Sequence, residues 1–468
     1  MLGDLCFAFA VRFACVKPMS FSSDTIAALA TPVGTSAIAV VRASGPDVTR
    51  LVQEIFCEAP LPRRARHADY RDHAGALVDD VLFTSYAAPN SFTGEDSLEI
   101  SCHGNPFIAQ KILEDLMARG CRPAEAGEFS KRAFLSGRMD LSQAEAVMDL
   151  IHARSERALL AANQQLRGAL GKRMGDLIAL LVNSLAQIEA YIDFPEEDLP
   201  AENRHRLIEN IEKLLRGTRQ LIATNHYGEI LRGGIKTVIV GEPNAGKSSL
   251  LNFLVGRERA LVSPEPGTTR DYLEEMITVG PHALRLIDTA GLNLNPSPLE
   301  QRGIEKTLEQ AAGANLFLWV IDSARLLPSL PPQILTLMNL SNTIAVLNKN
   351  DLPPFAHRTL PRDFATVSIS SLTGSGFEAL QVAIAKLADS MRPETGDEIV
   401  AINARHAHAL EQAATCLVTA CEKLSKHEST ELISSDLRAA LSAFGEISGK
   451  IDNERILDRL FSTFCIGK

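Results

Sequence analysis

The sequence lacks paired cysteines. Its eight, at positions 6, 15, 57, 102, 121, 416, 421 and 465, are scattered and form no C-x-x-C pair. That argues against a disulfide framework or a zinc site and fits a reducing, cytoplasmic setting. A basic excess is missing too, since 47 Lys and Arg against 57 Asp and Glu give a formal charge of −10. A globally basic nucleic-acid binder is therefore not expected, although a local basic groove, or a partner that supplies one, remains open. No membrane-length apolar run is evident. Residues 5–16 are apolar but follow Asp4, contain Arg12 and are too short to span a bilayer. They also lack the basic flank and small-residue cleavage site of a signal peptide. Residues 1–23 read as an N-terminal extension, with Met19 opening a more ordinary start. No later segment reads as a membrane span, so no membrane partner is expected. Repeats and low-complexity tracts are absent.

What is present is length and apolar content. With 468 residues, 46% of them hydrophobic, about two to four domains with sizeable cores are expected. The organising stretch is Gly241-Glu242-Pro243-Asn244-Ala245-Gly246-Lys247-Ser248. It follows the strand-like Val238-Ile239-Val240 and opens a helical pattern from Leu250. Strand, glycine-rich turn and helix make G-x-x-x-x-G-K-S a phosphate cradle. Glycines let backbone N–H groups point inward, and the helix N-terminus adds positive partial charge. Lys247 reaches the β- and γ-phosphates in such a loop, and the Ser248 hydroxyl binds Mg²⁺.

Three further motifs follow in order. Asp288-Thr289-Ala290-Gly291 ends the apolar run at Ile287; a carboxylate there holds Mg²⁺ through water, and the Gly291 amide senses the γ-phosphate. Asn348-Lys349-Asn350-Asp351 follows the strand-like residues 344–347. Asp351 offers two acceptors to the N1–H and exocyclic amine of guanine, a donor pair that adenine lacks. Ser370-Ser371-Leu372 supplies a loop to back the base. Together they point to a guanine nucleotide, Mg²⁺ and a GTPase fold. Nucleotide contacts are expected from Asn244, Ala245, Gly246, Lys247, Ser248, Ser249, Asp288, Thr289, Ala290, Gly291, Asn348, Lys349, Asp351 and Ser370.

Along the chain, residues 25–138 mix short alternating runs with helical ones, an α/β region. Strands are expected at residues 37–41 and 97–101, and a helix at 107–117 ended by Gly120. The polar cluster Pro89-Asn90-Ser91-Phe92-Thr93-Gly94-Glu95-Asp96 reads, from its residues alone, as a hairpin loop. Residues 141–192 are helical with few breakers; Asp193-Phe194-Pro195 interrupts, and helix resumes to Leu231. Gly233-Gly234 is a linker, residues 236–387 form the nucleotide domain, and helix returns from Arg405 to Phe464. Neither helical flank alone makes a convincing core, so the GTPase domain is expected to be inserted into one helical domain. The expected limits are 24–138, 139–233, 234–394 and 395–468.

With these motifs placed, residues 24–468 resemble the MnmE (TrmE) family of tRNA-modifying GTPases. The resemblance rests on Asn90-Ser91-Phe92-Thr93-Gly94-Glu95-Asp96, Gly127-Glu128-Phe129-Ser130, Asp193-Phe194-Pro195 and the terminal Phe464-Cys465-Ile466-Gly467-Lys468. Departures are small: Asn105 stands where a second glycine is usual, Ala126 replaces a proline, and Arg138 a lysine. The resemblance implies an α/β tetrahydrofolate-binding domain that dimerises, a helical middle domain and an inserted Ras-like P-loop GTPase domain. It implies work with a flavin- and NADH-using partner, MnmG, in a heterotetramer, with tRNA held largely through that partner. The product carries an aminomethyl or carboxymethylaminomethyl group at carbon five of the wobble uridine. The carbon comes from a 5-formyl- or methylene-tetrahydrofolate. Folate contacts map to Arg42, Glu99, Arg138 and Lys468; read by themselves, Arg42 and Arg138 are better taken as solvated surface arginines.

Leu292 follows the Asp288 motif where Ras-like enzymes place a water-orienting glutamine. The resemblance assigns that work to Glu300, which read alone is also an ordinary acidic first-turn residue. No arginine finger is evident. In the family, Asn244, Ser263, Glu265 and Thr268 lie where K⁺ is held, and Thr269 completes the Mg²⁺ shell, so Ser263, Thr268 and Thr269 join the nucleotide contacts. Cys465, between Phe464 and Ile466, reads as packing before it reads as a nucleophile. A ribosome-assembly switch is the competing reading, but it needs a KH-like domain after the GTPase domain, and that flank has no G-x-x-G loop.

Overall fold

The computed structural model describes residues 24–193, 200–258, 274–288, 308–327, 330–353, 355, 363–393, 400–449, 460–462, 464 and 467, with backbone alone at 201, 202, 257, 258 and 288. Contacts divide the chain into one unit of residues 1–144 with 451–468 and another of 145–450.

Alternation of apolar and polar residues builds the first unit's sheet. Its strands β1 (Ile26–Leu29), β2 (Ile38–Ser44), β3 (Arg66–Arg71), β4 (Leu77–Tyr86), β5 (Ser97–His103) and β6 (Arg122–Pro123) lie in the order β3-β4-β5-β2-β1-β6. The pairings are antiparallel except β1 with β6. Val41, Ala43, Leu98, Ile100, Val81 and Phe83 point to one face. There they meet Leu51, Val52 and Ile55 of α1 (Val48–Phe56) and Ile112 and Leu116 of α2 (Pro106–Ala118). The period of two sends Arg42, Glu99, Thr84 and Tyr86 to the opposite face. Helix α3 (Glu128–Leu135) follows Gly127, whose φ of +66° and close neighbour, the Phe461 carbonyl 2.6 Å from where a Cβ would stand, require glycine. The described residues 460–467 thus pack within this unit.

The second unit holds another six-stranded sheet: β7 (Ile235–Val240), β8 (Glu274–Val279), β9 (His282–Asp288), β10 (Leu316–Asp322), β11 (Thr343–Asn348) and β12 (Ala365–Ser368), in the order β12-β11-β10-β7-β9-β8. Only β8 with β9 is antiparallel. Leu316, Leu318 and Val320 of β10 enter one core, while Phe317, Trp319 and Ile321 enter another on the opposite face. A strand buried on both faces reads as a continuous apolar run, which is why residues 316–321 show no alternation. Helices α9 (Lys247–Glu258), α10 (Pro332–Leu337) and α11 (Phe377–Ser390) cover the sheet.

The helices before and after this sheet in sequence share one core. Helices α6 (Ala169–Asp193), α7 (Ala201–Ile222), α12 (Ala404–Ser425) and α13 (Thr430–Ser448) bring together Leu181, Ile188, Leu214, Leu417, Leu437 and Phe444. Replacing Leu417 by Ala there costs about 2–5 kcal/mol. The nucleotide-type sheet is therefore an insertion in a helical bundle. Helix α8 (Asn225–Gly233) leads into it, and the Arg232 side chain donates to the Asp149 carboxylate at 3.1 Å and to the Ile402 carbonyl at 3.1 Å. The inserted sheet's entry and return are thereby tied together.

The helical stretch expected over residues 141–192 consists of three helices: α4 (Leu141–His152), α5 (Glu156–Leu166) and α6. Ser155 caps α5 by accepting the Ala158 amide at 3.1 Å, and Gly168, at φ +88°, turns the chain before α6. The expectation of no later membrane candidate also needs correction. By length and composition α6 passes, with 25 residues and an 18-residue stretch of mean hydropathy 1.2. Its buried positions, 170, 174, 177, 181, 184, 185 and 188, form one helical stripe against the bundle, and Lys172, Arg173 and Asp176 lie outward. At the foot of the bundle the carboxylate of buried Glu145 meets the Nε2 of buried His406 at 2.8 Å and the Arg405 Nε at 3.0 Å. Burial disfavours its charge, but His406 and Arg405 prevail and hold the carboxyl down at about 2.

Candidate functional site

The central strand β7 has β10 on one side and β9 on the other, so the chain leaves its carboxyl end where the strand order reverses. Open parallel sheets bind ligands there. The Gly241–Ser248 loop occupies this position and leads into α9, which begins at Lys247. Asn244 sits at φ +64°, an uncommon conformation for a side-chain-bearing residue, and Gly246 at φ +98°. A Cβ on Gly246 would stand 2.1 Å from the Asn348 Nδ2. The Lys247 Nζ is buried and donates to the carbonyls of Gly241 at 3.1 Å and Glu242 at 2.9 Å. Ser248 and Ser249 are exposed on the first turn of α9.

The loop after β11 locks onto this cradle. Asn348, 1% exposed, donates from Nδ2 to the Ala245 carbonyl at 2.9 Å. Its Oδ1 accepts from the Ser371 amide and hydroxyl, each at 3.0 Å. The Lys349 Nζ donates to the Asn244 carbonyl at 2.9 Å. The Ser370 hydroxyl donates to the Asp351 carboxylate, fixing the acceptor pair. Three stretches, the first more than 100 residues from the other two in sequence, are thus one polar assembly. Asp288 ends β9 opposite Ile239 of β7, which places its backbone beside the cradle.

A second cluster lies on the outer face of the first unit's sheet. Arg42 and Glu99 are register partners, and the Arg42 Nη2 lies 2.7 Å from the Glu99 Oε1. The guanidinium sits 5.7 Å from the Phe92 ring centre and 5.8 Å from that of Phe129. Its Nη1 reaches the Gly467 carbonyl at 3.5 Å, and the Tyr86 hydroxyl donates to Glu99 at 3.4 Å. Burial and then the Glu99 charge raise the Tyr86 pKa, so the phenol stays a donor. The loop carrying Phe92 is more than a hairpin connection. Thr93 is buried against Ser44, and Glu95 accepts from both Ser44 and the buried Arg132. Arg138 is exposed beside Gly94 of that loop.

Comparison with known proteins agrees with this layout. Residues 25–138 match the family described as GTP-binding protein TrmE N-terminus, and residues 141–465 match the MnmE helical domain. The tRNA modification GTPase MnmE of Opitutus terrae is 57% identical over 447 residues, which is 95% of this chain and 99% of that protein. This chain belongs to the MnmE family. The MnmE of Akkermansia muciniphila is 45% identical over 459 residues, covering 96% of this chain and all of that one. Among solved structures, the G domain of the T. maritima FeoB iron transporter is 28% identical, covering 32% of this chain and 97% of its own, with a TM-score of 0.23.

Among the departures from the usual MnmE pattern, Asn105 has a local reason. It caps α2, its side chain accepting the Phe107 amide at 2.9 Å, which a glycine cannot do. Ser263, Glu265, Thr268, Thr269, Thr289, Ala290, Gly291, Leu292, Glu300, Cys465 and Lys468 lie outside the described residues, as does the Asp288 side chain. Two residues escaped the sequence reading. Tyr86 was detectable from the alternation of β4, which places it on the Arg42 face. Asp322 ends the apolar β10 as Asp288 ends β9, and that repeated strand-end carboxylate was the available signal.

Proposed function

We propose that this chain hydrolyses GTP and couples the hydrolysis to modification of the wobble uridine of certain tRNAs. The observation that carries this reading is the Asn348 side chain. It joins the phosphate loop at Ala245 to the base-backing loop at Ser371 in a chain 57% identical to a tRNA modification GTPase along nearly its whole length. Asp351 reads the guanine edge, Ser370 orients it, and Lys247 exchanges its bonds to the loop carbonyls for phosphate oxygens.

The donors suit two cations. Ser248, on the first turn after the cradle, and Thr269 hold Mg²⁺, with Asp288 behind water. Asn244, whose backbone is fixed by Lys349, holds K⁺ with Ser263, Glu265 and Thr268. When bound, these ions neutralise charge on the β- and γ-phosphates. Leu292 cannot orient water, so Glu300 does. In the first unit, Arg42, Glu99, Arg138 and Lys468 hold a tetrahydrofolate derivative, in its 5-formyl or methylene form, which supplies the carbon. A guanidinium with a carboxylate beside it and aromatic rings on either flank suits a flat, N–H-rich ring with a charged tail. Two copies of the chain associate through residues 24–138 and work with the flavoprotein MnmG as a heterotetramer, tRNA being held largely through that partner. The inserted domain runs over residues 234–394, between helical parts that cover 139–233 and continue from 395.

Mass spectrometry of tRNA nucleosides from a strain lacking the gene tests this. Loss of the carbon-five group from wobble uridines, restored by the wild-type gene, is expected. Unchanged wobble uridines with accumulating ribosomal precursors would instead favour a ribosome-assembly switch.

A further inference from the structure

Asp322 is 8% exposed at the end of β10 and is register partner to Asn348. Its Oδ2 lies 2.7 Å from the Lys349 Nζ, and that same amine donates to the Asn244 carbonyl at 2.9 Å. Three groups therefore stand in line from the end of β10 to the phosphate loop. The second carboxylate oxygen accepts the Ala324 amide at 2.9 Å, which holds the turn after β10. Lys349 is at φ +64°, so its long side chain is aimed by an uncommon backbone conformation and needs an anchor at its tip.

We infer that Asp322 is a positioning residue for guanine-nucleotide binding, acting through Lys349 to hold the Asn244 end of the phosphate loop. A lysine amine carries three donors. One goes to Asp322 and one to Asn244, so the amine spans the two loops at a fixed height. Without the carboxylate the stem relaxes toward solvent, because Lys349 is already 31% exposed, and the Asn244 carbonyl loses its donor. Burial opposes ionisation of Asp322, but Lys349 and the Ala324 amide prevail and hold its pKa below the ordinary carboxylate value.

The inference rests on the guanine-nucleotide reading, and the test separates the two. Asp322→Asn keeps an oxygen for the Ala324 amide and removes the charge that faces Lys349 at 2.7 Å and, at the longer distance of 3.6 Å, Arg325. GDP affinity is measured by calorimetry for the full chain, for Asp322→Asn, for Lys349→Met and for the double variant, with Tm taken nucleotide-free. Asp322→Asn is expected to weaken GDP about three- to tenfold with at most a small fall in Tm from the lost ion pair. On the Lys349→Met background it should weaken GDP no further. Additive losses, or a loss that tracks a large fall in Tm, would overturn the inference and leave a turn-capping role. Asp322→Ala supplies a second comparison, since it removes cap and charge together and should weaken GDP at least as much as Asn. If it binds GDP as the wild type does, the inference fails. A wild-type chain that binds no GDP would overturn the nucleotide site itself, and this inference with it.

Discussion

The Asn348 side-chain amide stands 2.9 Å from the Ala245 carbonyl, joining two loops separated by 103 residues of sequence. Gly246, the neighbour of Ala245, leaves room for that contact. Gly246→Ala places a methyl 2.1 Å from the Asn348 Nδ2 at a φ of +98°, where alanine is strained. Nucleotide affinity should fall by at least about tenfold, a loss of about 1.4 kcal/mol, measurable by fluorescent-GDP titration. An alanine variant with wild-type affinity would mean that the two loops need not touch.

Arg42 and Glu99 make a prediction for the other unit. Arg42→Ala leaves Glu99 facing Tyr86 alone and removes the cation between Phe92 and Phe129. A 5-formyl-tetrahydrofolate titration should weaken by about one to two decades, while GDP affinity stays unchanged. Folate binding equal to that of the wild type would remove this pair from the proposed site.

The Glu145 carboxyl, held down at about 2 from an ordinary 4.5, links stability to pH. A depressed folded pKa contributes stability that is present above the unfolded value and lost as pH falls through the folded one. The contribution should be complete above about pH 4.5 and fade toward about pH 2. Glu145→Gln should therefore cost about 3 kcal/mol near neutral pH, with the gap to wild type closing across that acid window in denaturant melts. A gap independent of pH would assign the cost to packing.

Much of this was legible in the sequence, for reasons specific to each element. The phosphate loop and the Asn348 and Ser370 motifs are local strings whose chemistry fixes their neighbours, so they could be placed before any fold was known. The two-part bundle could be inferred because neither helical flank makes a convincing core alone; α6 and α7 share theirs with α12 and α13. Contacts between distant strands were less legible. That Arg42 and Glu99 meet depends on the register of β2 against β5, and that Asp322 meets Lys349 depends on β10 against β11. Spacing within either segment carries no register. The breaks at Ser155 and Gly168 were hidden because alanine-rich sequence on both sides outweighs a single cap or glycine.

The cation reading gives a fourth expectation. GTP turnover should be high in K⁺ and low in Na⁺ at equal ionic strength, by up to about three to five decades if the ion does the full work of an arginine finger. Asn244→Ala should flatten that difference, since the side-chain oxygen is removed while the cradle and Lys247 remain. Equal wild-type turnover in both salts would refute the ion's role.

Nucleotide choice tests the central claim most directly. The Asp351 carboxylate, set by the Ser370 hydroxyl, is assigned as the reader of the guanine N–H pair. Calorimetry of the wild type should show tight GDP binding and no measurable ADP binding. In Asp351→Asn an amide donor replaces one acceptor, so GDP should weaken by roughly one to two decades while xanthosine diphosphate, whose 2-oxo group accepts that donor, gains. Comparable ADP and GDP affinities in the wild type, or unaltered GDP affinity in Asp351→Asn, would contradict the account.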